Sequence, residues 1–378
     1  MKKKYSAVVI ILIFVGVSVI PTVAQDSKKP LPTSRGNWLY VGGSGPGNYT
    51  KIQDAISAAS DGDTVFVYDD SSPYVEYLTI DRSITLLGEA RDTTIINGIL
   101  GWRSMIHIIA PDVVVQGFSL LNHGADGIYI QSDNVTITGT IITDIGWEAV
   151  DIEDATHINI SDNVIINVGA GVFFYNSLFN YEYNIISHNV IRNTADYGIY
   201  ISGKYNIIHG NDIAPVDSTG ILLHEGSFNN ISYNTVSSPT DGIWLINTYN
   251  NILYRNNLTG NQRFGVILTD ASGDSIFENN FMENAKNARI IFDLSGSIYV
   301  HHVMGYPILP IPTNWARNFW DKPRSIPYPI AEHLMFGLLI PGWLEIFFES
   351  VFHKSYVQDM VNFVRFDLHP AQEPYYIP

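Results

Sequence analysis

Five acidic residues crowd one short stretch of the chain: Asp144, Glu148, Asp151, Glu153 and Asp154. Asp151 and Glu153 stand two apart, which in a strand puts both on one face with carboxyl groups roughly 6–8 Å apart. That separation overlaps the one used by inverting glycosidases, where one acid protonates the leaving oxygen and its partner activates water. Asp126 precedes Glu148 by 22 residues, one repeat of the pattern described below, and brings further carboxylates to the same rim. The catalytic candidates are therefore Asp151, Glu153, Glu148 and Asp126. A hard cation is a second use for such a group, with Asp151, Glu153 and Asp154 offering the oxygens that Ca²⁺ takes. The third is solvated surface acid, in a chain with 37 acidic residues against 21 Lys and Arg. Lys204, Arg192 and Arg255, the basic residues well inside the repeat, lie outside this stretch, so a lyase fits less well than a hydrolase.

A second group could stack on sugars. Tyr129, Phe173, Tyr200 and Trp244 recur at one repeat position, and Tyr175 opens an aromatic insertion running to Tyr183. Solvent-facing rings suit the apolar faces of sugars. The same row could instead lie beneath another part of the chain.

What positions these residues is a repeat. A small residue followed by alternating apolar positions begins at Gly127, Ala149, Gly171, Gly198, Gly220, Gly242 and Gly265, in steps of 22, 22, 27, 22, 22 and 23 residues. Two further short strand signals follow in each repeat, the last starting at Asn163, Asn189, Asn211, Asn234, Asn256 and Asn279. No repeat leaves room for a helix, so the pattern predicts an all-β, right-handed parallel β-helix with three strands per coil. Alternation sends two apolar columns inward, Ile128–Val266 and Ile130–Leu268, and leaves Tyr129, Asp151 and Gln131, Glu153 outward. The aligned asparagines are expected to stack as a ladder.

The ends need covering, because open strand edges aggregate. Thr50-Lys51-Ile52-Gln53 has capping-box spacing and opens a short amphipathic helix. Residues 298–378 carry many prolines and aromatics and are expected to pack back as a cap, or to dock at a membrane or cell surface. Lys2–Lys4, an apolar run from Ala7 to Ile20 and Thr22-Val23-Ala24 read as a signal peptide at 1–24. A linker at 25–44 and the solenoid at 45–297 complete the expected organisation. Without that leader the net charge is near −19, which disfavours nucleic acid and favours cations or neutral glycans. The chain has no cysteine, so its stability must come from a continuous core.

The segments KIQDAISAASDGDTVFVY from Lys51 and YLTIDRSITLLGE to Glu89 resemble the opening segment of the NosD-type β-helix family, and Asn318-Phe319-Trp320 resembles the close of its repeats. The resemblance covers roughly residues 45–330 and implies a pectin-lyase-like fold, export, and contact with a polysaccharide or glycoconjugate. It also implies a link to periplasmic copper, for which the chain lacks soft ligands; His188, His209, His301 and His302 are the histidines that come in pairs. The paired-aspartate and Gly-His-Gly motifs of polygalacturonases are absent. The combined expectation is a non-catalytic carbohydrate-contacting protein, with a polysaccharide hydrolase as the rival and a copper-linked accessory protein third.

Overall fold

The computed structural model describes residues 36–99, 101–175, 181–214, 217–293, 314–320, 328–335, 361–367 and 374–377. The segment expected to be a signal peptide lies outside them. Within them the chain winds as a right-handed parallel β-helix of about 11 turns. One wall is a sheet of 12 parallel strands, and the others carry the Gly-led strands and the strands that follow the asparagine corner.

The Gly-led strands stack in register. Ile106 pairs with Ile128, Ile128 with Val150, Val150 with Val172 and Val172 with Ile199, and the column continues through Ile221, Ile243 and Val266. All are fully buried, as are Ile130, Ile152, Phe174, Ile201, Leu223, Leu245 and Leu268 on the same strands. Coils pack tightly where these strands begin: a Cβ on Gly198 would stand 2.6 Å from the Gly220 carbonyl oxygen. That contact keeps the position small.

The expected asparagine ladder is present. The Asn163 side chain donates to Asn189 Oδ1 at 3.0 Å, Asn189 to Asn211, Asn211 to Asn234, Asn234 to Asn256, Asn256 to Asn279 and Asn279 to Asn318. A second ladder runs Asn184, Asn206, Asn229, Asn251 and ends on Asp274. An amide both accepts and donates, so it can sit inside a ladder. A carboxylate cannot donate onward, and Asp274 stands at the end; burial holds its carboxyl up to about 7.

Three boundaries differ from the sequence reading. The solenoid begins inside the expected linker, since Trp38–Val41 pairs with Thr64–Val67. It also continues past residue 297: Asn314–Ala316 pairs with Ser275–Phe277, and Trp315 and Trp320 are buried against Phe281. The long insertion between those coils hid the continuing register. The helix Ile52–Ala58 forms and buries Ile52, Ala55 and Ile56, but its end has no capping box. Glu76 from a later segment accepts the Ile52 and Gln53 backbone N–H groups instead. Among the described residues no helix is long and apolar enough to cross a membrane.

Of the C-terminal region, Tyr328–Met335 pairs parallel with Lys286–Asp293 and antiparallel with Val361–Asp367. Tyr375 exchanges two backbone hydrogen bonds with the Asn280 side chain, and its ring lies 5.9 Å from the Arg255 guanidinium. The rest of the expected cap lies outside the described residues.

Candidate functional site

The outward positions of the Gly-led strands form one continuous face, and its early coils gather the acids. Strand register sets His107, Tyr129, Asp151, Phe173 and Tyr200 in a single column. His107 stacks on Tyr129 with centroids 5.1 Å apart, and Phe173 on Tyr200 at 4.7 Å. Asp151 is the carboxyl between these two ring pairs. Rings on both sides strip its water, and Asp126, Glu148 and Glu153 add like charge. Desolvation first, then that repulsion, push its carboxyl up to about 8. Its Oδ1 is buried without a hydrogen-bond partner.

Glu148 lies three residues before it within the strand Ile141–Glu153, one coil above Asp126. Burial raises its carboxyl to about 7, helped by a hydrogen bond and repulsion from Asp126 and by Asp196 farther off. Asp126 is 8% exposed; the Ser104 hydroxyl donates to its Oδ2 at 3.1 Å, and Oδ1 has no donor. Asp126 thus adds like charge beside the buried Glu148 carboxyl and favours its protonated form. The charges acting most on Glu148 and Asp151 are themselves acidic.

Glu153 is held differently. It accepts the Tyr129 hydroxyl and, at 2.9 Å, the Gln131 amide, while Gln131 Oε1 bonds His107 Nε2 at 2.8 Å. The Tyr129 hydroxyl is pushed well above its ordinary value by burial and by Glu153. Glu153, two residues on from Asp151, adds like charge to it. Asp126 stands one coil below Glu148 in the strand register and is the acid that acts most on it.

The remaining candidates divide. Tyr129, Phe173 and Tyr200 flank the acids and are half-buried. Trp244 lies several coils away, its Nε1 donating to Thr269 at 3.0 Å and its ring 6.0 Å from the Arg263 guanidinium. Leu222 and Ile267, outward by the same alternation, are buried rather than solvent-facing. The Tyr175 side chain lies outside the described residues. Asp154 is exposed and leaves the strand in a left-handed conformation, φ 53°.

Sequence reasoning missed two tryptophans. Trp102 is 85% exposed and Trp147 43% exposed, and their rings meet at 5.9 Å beside Glu148. Trp102 lies in a bend, and Trp147 lies inside the strand Ile141–Glu153 at its register shift between Ile145 and Glu148, where the alternation is broken. The only clue was Trp147 standing next to Glu148.

Copper does not fit the described residues. No three His, Asp or Glu side chains among them are grouped to hold a metal ion, and the chain has no cysteine. His188 and His209 meet edge to face at 72° with centroids 5.5 Å apart, and His209 Nδ1 bonds Ser232, so their nitrogens do not converge as a ligand pair. His301 and His302 lie outside the described residues.

The sequence pattern of the family described as periplasmic copper-binding protein (NosD) matches residues 57–215 and again 184–325. A cell surface glycoprotein of the archaeon Methanothermus fervidus is 28% identical over 252 residues, which are 64% of this chain and 40% of that protein, so the chain spans well under half of that relative's length. Among solved structures, the A-module of an Azotobacter vinelandii mannuronan C-5 epimerase superposes with TM-score 0.52 at 15% identity, covering 64% of this chain and 86% of that one. The enzymatically active domain of bacteriophage CBA120 tailspike protein 2 does so with TM-score 0.51 at 12% identity, over 67% of this chain and 46% of its own. At these identities the likeness is one of fold.

Proposed function

This chain belongs to the NosD family, and from that premise we propose that it is an exported, non-catalytic protein that contacts a polysaccharide or glycoconjugate through the acidic, aromatic face of its early coils. The observation that carries the reading is the column His107, Tyr129, Asp151, Phe173, Tyr200, in which paired rings flank a partly desolvated carboxyl with one unpaired oxygen. A purely structural column would fill that gap with an apolar residue, as the core does one position away. Rings offer apolar area to sugar faces, and unpaired carboxyl oxygens accept from sugar hydroxyls. Export is supported by the family's periplasmic description and by the cell surface relative. The test is a glycan array probed with the mature chain and with Phe173→Ala and Tyr200→Ala. Binding of at least one glycan class, weakened in both variants, is expected; no binding by the wild-type chain would remove the reading.

One observation favours hydrolysis as the second reading. Glu148 and Asp151, with carboxyls raised to about 7 and 8, are poised as proton donors near neutral pH. Under it, Glu148→Gln and Asp151→Asn abolish cleavage of a bound polysaccharide while binding survives. Absence of any wild-type cleavage of the glycans that bind leaves the non-catalytic reading standing.

A further inference from the structure

Two tryptophans project where the chain leads into the acidic coils. Trp102 and Trp147 belong to coils two apart, and between them lies Gly124-Ala125, which leaves room for the indoles to touch. An indole buries on the order of 200 Å² when covered, and Trp102 leaves 85% of its surface in water. Trp102 stands two residues before Ser104, the donor to Asp126, and Trp147 directly precedes Glu148. The carboxyl group they border is short of donors: Asp126 is more than nine-tenths buried with Oδ1 unpaired, and Asp151 Oδ1 is also buried and unpaired. Two exposed indoles, tilted 54° to one another, thus lie close in the chain to acids that keep unpaired oxygens.

Resting on the glycan-contact reading, we propose that this face selects an amino sugar, a pyranose ring packed against the Trp102 and Trp147 indoles with its protonated amine toward the Glu148 and Asp151 side chains. A bare metal ion would give the exposed indoles no role. A neutral sugar would stack and donate hydroxyl hydrogens, but would bring no charge to the carboxyls. A uronic acid would bring a carboxylate against Glu148 and Asp151, on which the strongest acting charges are acidic, and would meet a cation only in Arg103, next to Trp102 in the chain. An ammonium supplies both donors and charge, and ionises the carboxyls it meets. With Glu148 held at about 7 and Asp151 at about 8, its arrival at pH 6 displaces protons.

The experiment titrates the full chain with a β-1,4-linked glucosamine tetramer at pH 6 and about 0.15 M salt, where long-range attraction is screened. Calorimetry in two buffers of different ionisation enthalpy counts the protons released. The N-acetylated tetramer, a mannuronate tetramer and tetralysine serve as comparison ligands. The glucosamine tetramer is expected to bind with proton release, and roughly tenfold or more tighter than either other sugar, a difference of about 1.4 kcal/mol. Trp102→Ala, at a solvent-exposed position, should weaken the tetramer about tenfold and leave tetralysine unchanged. Asp151→Asn and Glu148→Gln should each reduce the proton release. Equal or tighter binding of the N-acetylated or mannuronate tetramer overturns the amine preference while leaving glycan contact intact. Unchanged tetramer binding by Trp102→Ala overturns the stacking. Failure of all three sugars to bind overturns both this inference and the reading beneath it.

Discussion

The asparagine ladder and the acidic face are both columns of polar side chains repeated once per coil, and they treat their polar atoms in opposite ways. From Asn163 to Asn318 each Oδ1 accepts from the coil before, and each Nδ2 donates to the coil after and to a backbone carbonyl such as Ile186 O, so burial leaves the amides paired. On the acidic face Asp126 and Asp151 keep oxygens buried and unpaired, and the carboxyls of Glu148 and Asp151 are driven toward the protonated form. An amide stack satisfies itself; a carboxylate stack cannot, because it lacks donors. The ladder therefore belongs to the fold, whereas under the proposed function the acidic face serves a ligand.

Breaking the ladder should have the largest effect. Asn211→Ala leaves the Asn189 backbone N–H and side-chain amide without their acceptor and Asn234 Oδ1 without its side-chain donor, all buried. Each buried polar group orphaned costs about 1–3 kcal/mol, so chemical denaturation should show a loss on the order of several kcal/mol. A loss under about 1 kcal/mol would mean the ladder is ornamental.

The acidic face should respond with the opposite sign. A carboxyl whose folded value lies above its unfolded value of about 4 contributes most below pH 4, and that contribution is lost as pH rises through the folded value. For Glu148 and Asp151 the window runs from about pH 4 to about 7 and 8. Glu148→Gln and Asp151→Asn should therefore raise the melting temperature above pH 8 by on the order of a few degrees, with little change at pH 4. Variants that melt lower than wild type at pH 8 would make these acids structural.

Asp274 sharpens the contrast because it is a carboxyl inside a ladder. Its raised value places its cost above about pH 7, so Asp274→Asn should gain stability there, by less than the acidic-face variants because Asn251 and Thr248 already donate to it. The smallest effect is expected from calcium. Since Asp154 turns out of the strand and no three acids are grouped as a metal site among the described residues, millimolar Ca²⁺ should leave the melting temperature within about a degree. A saturable rise that Asp151→Asn removes would restore the calcium reading.

Much of the fold was legible because a period of 22 residues and a period of 2 are both visible in one sequence. Ile128, Val150 and Val172 announce their inward side by alternation, and the asparagines by recurrence. What escaped did so for lack of period. Trp38–Val41 and Asn314–Trp320 join the solenoid across irregular spacings, and the Glu76 cap reaches the helix from a different segment. The acids themselves were legible. So was the alignment of Asp126 one coil below Glu148; the burial that raises the Glu148 and Asp151 carboxyls was not, because spacing alone does not place the groups that cover them. Trp102 sits in a bend and Trp147 at a register shift inside a strand, where alternation does not mark a residue.

Hydrogen exchange of the wild-type chain with and without a bound oligosaccharide tests the central claim most directly. The account predicts that bound glycan slows exchange at residues 102–108, 126–131 and 147–153, and leaves the strands of the 12-stranded wall unchanged. Protection confined to that wall, or to residues 314–335, would place the glycan elsewhere and contradict it.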